Sequence, residues 1–344
     1  MYFDVEPKSK REDFFNYSFE YGLFKKSLRD TEKIIAVVGV RRVGKTSLLN
    51  LIYNETDGAK LWLDGRIISD PRTEIFAAIH ETVKSGRSKI FGKIESLNIS
   101  AFGLGVGVKL GPESRTEMEK RIRGAGRVVV FIDEAQRMKV GALADVVSYF
   151  YDRLPQVTFA LSGSEIGLVE EILGENDPKH PLYGREIVKV TMGRLSKSAA
   201  IQYLKEGFAQ LGMSIAEAEL SEAIEEHDGL IGWLTLYGHE RGVRKNTKAI
   251  ARVTETATRI AASELENFLR TAKNRRLYLS ILRNVNGTPW EELRGLASRD
   301  YGERLNHGLF AFALARLVKY TFVERRDERY HLSDPLLTKA LYLV

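Results

Sequence analysis

Cysteine is absent from all 344 residues. That excludes a disulfide scaffold, a cysteine nucleophile and any thiolate metal site, and it suits a reducing compartment. No apolar run reaches the roughly 18 residues needed to cross a bilayer; the candidate around Val128–Ile132 is strand-sized. The opening Met1-Tyr2-Phe3-Asp4-Val5-Glu6-Pro7 has neither the basic nor the apolar region of a signal peptide. The expectation is a cytoplasmic protein without a membrane segment. The six histidines form no ligand pattern, and His239-Glu240 lacks the second histidine of a zincin. No G-x-G-x-x-G follows the first expected strand, and Gly103-Leu104-Gly105-Val106-Gly107 has the wrong context for dinucleotide binding. Internal repeats and low-complexity tracts are missing as well.

What is present is an ordinary globular composition, with 44% hydrophobic and 28% charged residues. The length suggests two or three domains of roughly 150 residues. Charge is uneven along the chain. The total is +6, yet about 20 Lys and Arg stand against about 11 Asp and Glu from Arg241 onward, leaving that end near about +9. Such a region attracts polyanions through counterion release. A solvated surface that happens to be basic is the alternative.

Ile34-Ile35-Ala36-Val37-Val38 is a continuous apolar run ending at a glycine, the pattern of a strand buried on both faces. A helical pattern over Thr46–Tyr53 follows, then a strand at Lys60–Asp64 and a helix over about 71–84. Strands at Val128–Ile132, Val157–Leu161 and Ile187–Val190, with a helix at Gly141–Leu154, complete an α/β core: a parallel sheet with helices on both faces. Between the second and third strands, Ile99–Leu110 alternates small and apolar residues and reads as an extended hairpin insertion of no assigned role. From about Arg194 the strands give way to helices over Ser196–Leu211, Ile215–His227, Gly232–Arg241 and Thr247–Lys273. The last seventy or so residues change again. A helix at Arg275–Leu282, a capped helix opening on Thr288-Pro289-Trp290-Glu291, a third helix at Leu305–Lys319 and a hairpin from Thr321 to Leu332 describe a winged helix. The expected division is an α/β core at 1–192, a helical region at 193–271 and a winged helix at 272–344.

Gly39-Val40-Arg41-Arg42-Val43-Gly44-Lys45-Thr46 matches G-x-x-x-x-G-K-[ST] between a strand and a helix. Backbone N–H groups of such a loop cradle phosphates, and the next helix adds its positive end. Lys45 is expected to reach the β- and γ-phosphates, and Thr46 to ligate Mg²⁺. Val128-Val129-Val130-Phe131-Ile132-Asp133-Glu134 delivers two acids at the carboxyl end of a strand, where ligands of open α/β sheets bind. Asp133 is expected in the Mg²⁺ shell and Glu134 beside the attacking water. The two motifs together identify a nucleoside triphosphatase. Ser162 and Ser164, after the fourth strand, either touch the γ-phosphate or form a turn and cap. Arg185 either stabilises phosphoryl charge, in cis or in trans, or forms a surface salt bridge. Arg41 and Arg42 either meet phosphate or a neighbouring subunit, or pair structurally. No separate guanine box is present, so ATP is the expected nucleotide.

The stretch Gly39–Ser47, with its Arg-Arg-Val-Gly-Lys-Thr-Ser, and Phe131-Ile132-Asp133-Glu134-Ala135-Gln136 resemble the archaeal ATPase family, related to AAA+ and STAND-type P-loop ATPases. Leu161-Ser162-Gly163-Ser164, Leu182-Tyr183-Gly184-Arg185, Gly229-Leu230-Ile231-Gly232-Trp233-Leu234 and Tyr330–Pro335 fall in that family's order, so the resemblance spans nearly the whole chain. It implies an ATPase core, a helical lid and a C-terminal winged helix, with ATP binding or turnover switching conformation. It further implies that Gly39, Gly44, Lys45, Thr46 and Ser47 line the nucleotide, that Ser162 or Ser164 senses the γ-phosphate, and that Arg185 is the arginine of a Gly-Arg box. Two departures stand out: Asn16-Tyr17-Ser18-Phe19-Glu20 where relatives commonly carry Arg-Glu, and Ile231 where many carry proline.

Base readout needs Arg, Lys, Asn or Gln on the helix that enters a groove. The third helix of the C-terminal region is mostly apolar and offers Asn306, His307, Arg316 and Lys319, with Arg304 just ahead. The expected wing, Arg325-Arg326-Asp327-Glu328-Arg329, dilutes its basic groups with acids. The expectation is an ATP-dependent switch coupled to DNA, non-specifically rather than by sequence. The alternative is a signalling or scaffold switch whose winged helix packs on protein.

Overall fold

The computed structural model describes residues 1–85, 89–91, 112–174 and 177–344, and the expected insertion at 99–110 lies outside the described residues. The chain divides into two compact units, one of Pro7–Gly39 with Lys45–Met192, the other of Met1–Glu6 and Val40–Gly44 with Gly193–Val344.

In the first unit, α1 (Ser18–Arg29) leads into β1 (Ile34–Val38), followed by α2 (Lys45–Glu55), β2 (Ala59–Asp64) and α3 (Pro71–Ser85). Then come β3 (Lys89–Phe91), α4 (Pro112–Gly124), β4 (Val128–Asp133), α5 (Val140–Arg153), β5 (Val157–Gly163), α6 (Ile166–Leu173) and β6 (Val188–Thr191). The strands pair in parallel in the order β3-β2-β4-β5-β1-β6. Every residue of β1, β4 and β5 is buried, which is why these runs lack the polar alternation of a half-exposed strand.

Strand periodicity assigns the faces of β4. Phe131 sits among Phe24, Tyr53 and Trp62, with ring centroids 6.5, 5.3 and 6.3 Å away. Val130 and Ile132 join the opposite cluster with Ile75 and Ile79 of α3 and Leu143 and Val147 of α5. Asp133, two residues beyond Phe131, therefore leaves the sheet on the side of α2. Register aligns Asp64 with Asp133 and Val37 with Ser162, so these polar groups end neighbouring strands at one edge.

The second unit begins with α7 (Lys197–Ala209), capped by Ser196, whose Oγ accepts from the Ala199 N–H at 3.2 Å. It continues through α8 (Glu217–His227), α9 (Ile231–Gly238) and a wider π-type turn over His239–Val243 to the 22-residue α10 (Ala249–Arg270). The chain closes with α11 (Arg275–Leu282), β7 (Thr288–Pro289), α12 (Trp290–Tyr301), α13 (His307–Lys319), β8 (Val323–Arg326), β9 (Arg329–Leu332) and α14 (Leu337–Ala340). The three strands form an antiparallel sheet ordered β7-β9-β8. One core joins Leu265 and Phe268 of α10 to Leu277, Ile281, Leu293, Phe310, Leu317 and Phe322.

Some local expectations change. Thr288 does not cap α12: it pairs with Tyr330 across β7 and β9, and its hydroxyl donates to the Asn284 carbonyl at 3.1 Å. Pro289 is the residue flanking that helix. α1, β3, α4, β7 and α14 are elements that the sequence patterns did not announce. No helix among the described residues is long and apolar enough to cross a membrane.

Candidate active site

Lys45 opens α2 and is 6% exposed, with its ammonium donating to the Gly39 carbonyl at 2.9 Å. One turn position on, Thr46 Oγ1 donates to Asp133 Oδ2 at 3.0 Å. The other oxygen of Asp133 accepts from the Ser162 hydroxyl. The carboxyl group is 6% exposed as a residue, and burial raises its pKa, with the neighbouring Glu134 and Asp64 charges adding to the rise. Hydrogen bonds from Ser162 and Thr46 pull the other way. Beside it, burial also pushes Asp64 upward, but the Arg66 guanidinium, 2.9 Å from Nε to Oδ1, prevails and holds Asp64 low.

Among the described residues no group of three or more His, Asp or Glu is arranged as a cage for a metal. Mg²⁺ in phosphoryl-transfer sites needs no such cage, because one or two protein oxygens suffice beside phosphate and water. A hydroxyl and a desolvated carboxylate 3.0 Å apart, on Thr46 and Asp133, are the hard oxygen donors such an ion requires. The residues fit the ion.

Glu134 follows Asp133 in the left-handed region, with φ at 53°. The turn is backed by Gly65, whose N–H donates to the Asp133 carbonyl at 2.8 Å. A Cβ on Gly65 would stand 2.3 Å from the Glu134 carbonyl oxygen, so only glycine lets the end of β2 approach this closely. The Glu134 carboxylate accepts at Oε2 from the Gln136 side-chain amide and from the Ser164 hydroxyl, the latter at 3.3 Å. Gly65, the Asp64–Arg66 pair and Gln136 were absent from the expected site. A glycine directly after the acid that ends the second strand was the available signal for Gly65.

The middle of the phosphate-binding motif packs within the other unit. Val40 and Val43 are buried, and Arg42 has φ at 70°. The Arg42 carbonyl accepts from the Gly232 N–H at 2.9 Å, and its guanidinium pairs with Glu264 at 2.9 Å and Asp334 at 3.4 Å. Arg41 pairs with the same Glu264 at 3.4 Å. Both arginines are thus engaged with acids of that unit. Ser47 accepts from the Lys8 N–H at 3.1 Å.

Arg185 lies elsewhere. β6 runs parallel to β1, so the segment before it sits at the amino-terminal edge of the sheet, opposite Asp133. There Arg185 pairs with Asp152 at 2.5 Å and lies 4.9 Å from the Tyr151 ring centroid.

In the C-terminal region the groups considered for base readout are largely engaged. Asn306 caps α13 by accepting from the Leu309 N–H at 2.8 Å, and His307 stacks on Trp290. Arg316 faces the rings of Phe268, Tyr278 and Tyr320 and donates to Thr271 at 3.1 Å. In the hairpin, Arg325 pairs with Glu328, Arg326 with Glu324, and Arg329 donates to the Gly287 carbonyl at 2.8 Å. The exposed surface of α13 carries Phe312, 64% accessible, and Leu309 at 38%.

Comparison with known proteins adds to this geometry. A family described as an ATPase domain predominantly from Archaea matches residues 23–235. No curated protein matches the sequence. Among solved structures, a Walker-type ATPase of Pyrococcus abyssi superposes with a TM-score of 0.79 at 27% identity, over 99% of this chain and 100% of that one. Cdc6p of Pyrobaculum aerophilum gives 0.46 at 14% identity, covering 93% of this chain and 90% of that chain. The RuvB Holliday junction branch migration motor of Thermotoga maritima gives 0.47 at 12%, covering 96% of each. With its Walker motifs on a parallel α/β sheet, the chain is an ATP-hydrolysing P-loop enzyme, and it belongs to the ATPase domain family found predominantly in Archaea.

Proposed function

We propose that this ATPase is a conformational switch, in which nucleotide at the phosphate-binding loop is felt by the C-terminal unit. The observation that carries the reading is the grip on Arg42: its carbonyl is bonded by Gly232, and its guanidinium by Glu264 and Asp334. A loop that must reshape around phosphates, yet is tied by backbone and charge to α9, α10 and the segment after β9, transmits its state to them. Such a switch requires nucleotide to bind one arrangement more tightly than the other.

In the proposed chemistry, Gly39, Gly44, Lys45, Thr46 and Ser47 hold the nucleotide, and Thr46 and Asp133 would hold Mg²⁺. That ion would supply positive charge against the negative charge that develops on the transferred phosphoryl group. Glu134 takes a proton from water as the water oxygen bonds to the γ-phosphorus. The bond to the bridging oxygen breaks, and ADP and phosphate are the products. Ser162 fixes Asp133, and Ser164 contacts Glu134.

For the output, residues 272–344 are read as a winged helix that meets protein. Exposed Phe312 and Leu309 on α13, together with the internal pairing of Arg316 and the wing arginines, favour an apolar protein surface over base edges. Duplex DNA, bound through phosphate alone, is the second reading, favoured by the basic excess after Arg241. ATP hydrolysis measured with and without mixed-sequence duplex at low salt separates them. Turnover indifferent to duplex, with no salt-sensitive binding, supports the protein-facing switch; stimulation that fades steeply with salt supports DNA.

A further inference from the structure

Gln136 lies on the short turn Ala135–Arg137 just past β4, and it is 6% exposed, whereas Glu134 beside it is half-buried and reaches solvent. One amide hydrogen of Gln136 goes to Glu134 Oε2 and the other to Ser164 Oγ at 3.2 Å. Ser164 in turn donates to the same Glu134 oxygen at 3.3 Å, closing a three-membered ring of hydrogen bonds. The amide cannot be reversed without setting its oxygen against a carboxylate oxygen, so the donor face is fixed toward Glu134. Its own Oε1 is buried with no hydrogen-bond partner among the described residues. An orphaned acceptor of that kind is costly and ordinarily avoided.

The amide is also held sterically. A Cβ on Gly163 would stand 2.3 Å from Val169 Cγ2 and 2.6 Å from Gln136 Oε1, so the glutamine side chain lies directly against the bare backbone at the end of β5. Glycine between Ser162 and Ser164 is thereby explained: the strand end supplies two hydroxyls for the two acids and, between them, room for the amide.

We infer that Gln136 is a positioning residue for hydrolysis, holding Oε2 of Glu134 so that Oε1 faces the water to be deprotonated. The inference rests on the reading of Glu134 as the base. It assigns the preorganisation of that base to a buried amide two residues along the chain, with Ser164 as the second donor. Both donors act on the oxygen that does not take the proton.

The test is steady-state ATP hydrolysis together with ATP binding by the full-length protein carrying Gln136→Leu, Gln136→Glu and Ser164→Ala. Misplacement of a reacting group by about 1 Å costs on the order of 100-fold in rate. Gln136→Leu should accordingly lower kcat by about 10- to 100-fold, with ATP affinity within about twofold of wild type. Ser164→Ala should lower kcat less, because the amide remains. Gln136→Glu replaces the two amide donors by acceptor oxygens set against Glu134 Oε2, so kcat should fall at least as far as in Gln136→Leu. A loss confined to kcat with ATP affinity kept is a split that a purely structural role would not produce. Wild-type kcat in Gln136→Leu, a parallel loss of kcat and ATP affinity, or wild-type kcat in Gln136→Glu would overturn the inference. Should Gln136→Leu fail to fold, the other two variants decide. Glu134→Gln, run alongside, separates the two readings: if it still hydrolyses ATP, the role of Glu134 fails; if it is inactive while Gln136→Leu is fully active, only the positioning role fails.

Discussion

The guanidinium carbon of Arg42 lies 4.1 Å from the ring centroid of Trp233, and both residues reach the same oxygen of Asp334, Trp233 Nε1 at 3.1 Å and Arg42 Nη1 at 3.4 Å. A planar cation stacked on an indole and paired with two acids is a geometry that lysine cannot reproduce. Asp334 also accepts from the Leu336 N–H at 3.0 Å, so one carboxylate ties the phosphate loop to the segment entering α14.

Arg42→Ala leaves Asp334, a largely buried acid, without its cation. Thermal unfolding should register a loss of about 1–3 kcal/mol, since removing the donor leaves a buried acceptor short of a partner. Arg42→Lys should recover less than half of that loss, because the charge returns without the stacking or the forked donors. Equal stability of Arg42→Lys and wild type would contradict this account of the contact.

Asp133 makes a prediction of opposite sign. Burial raises its folded pKa above the ordinary value of 3.8, so ionising it in the folded chain is penalised. Its contribution to stability is therefore lost as pH rises from that value through the folded one. Asp133→Asn should raise the melting temperature of the metal-free protein by a few degrees near neutral pH while abolishing hydrolysis. A lowered melting temperature in the metal-free variant would show that Asp133 is already compensated.

His227 is fully buried, with Nδ1 donating to the Ala223 carbonyl at 2.8 Å. Burial lowers its pKa below 6.5, outweighing the carbonyl and the nearby Glu226 and Asp334. For a depressed histidine, stability is fully present above the unfolded value near 6.5 and is lost as pH falls toward the folded value. The melting temperature should fall on acidification from about pH 7 to 5 more steeply in wild type than in His227→Leu. Parallel curves would contradict a buried neutral imidazole.

How much of this was legible in the sequence differs by element. β1, β4 and β5 declared themselves because strands buried on both faces need unbroken apolar runs, and the Walker residues because phosphate chemistry fixes their spacing. Thr46, Asp133 and Ser162 were read from the sequence on separate grounds, and the Asp133 carboxylate accepts from both hydroxyls. β3 is three residues long and pairs at an edge, too short for any period to mark. The capping pattern at Thr288 misled because a β-bridge to Tyr330 claimed that residue, a tertiary choice invisible to local sequence. Arg185 precedes the strand expected at Ile187–Val190, so a parallel sheet already set it at the amino-terminal edge, opposite the loop that follows β1. Gln136 and Gly65 act through contacts with residues far apart in sequence or packed against backbone, and neither residue type signals such a role by itself.

On the proposed reading, this site binds ATP through Lys45 and hydrolyses it through Glu134. The most direct measurement pairs nucleotide binding with Mg²⁺-dependent phosphate release for wild type, Lys45→Ala and Glu134→Gln. Wild type should bind and hydrolyse; Lys45→Ala should lose both. Glu134→Gln should bind ATP within a few-fold of wild type and release phosphate at least about 100-fold more slowly. Phosphate release by Glu134→Gln at the wild-type rate would contradict the account.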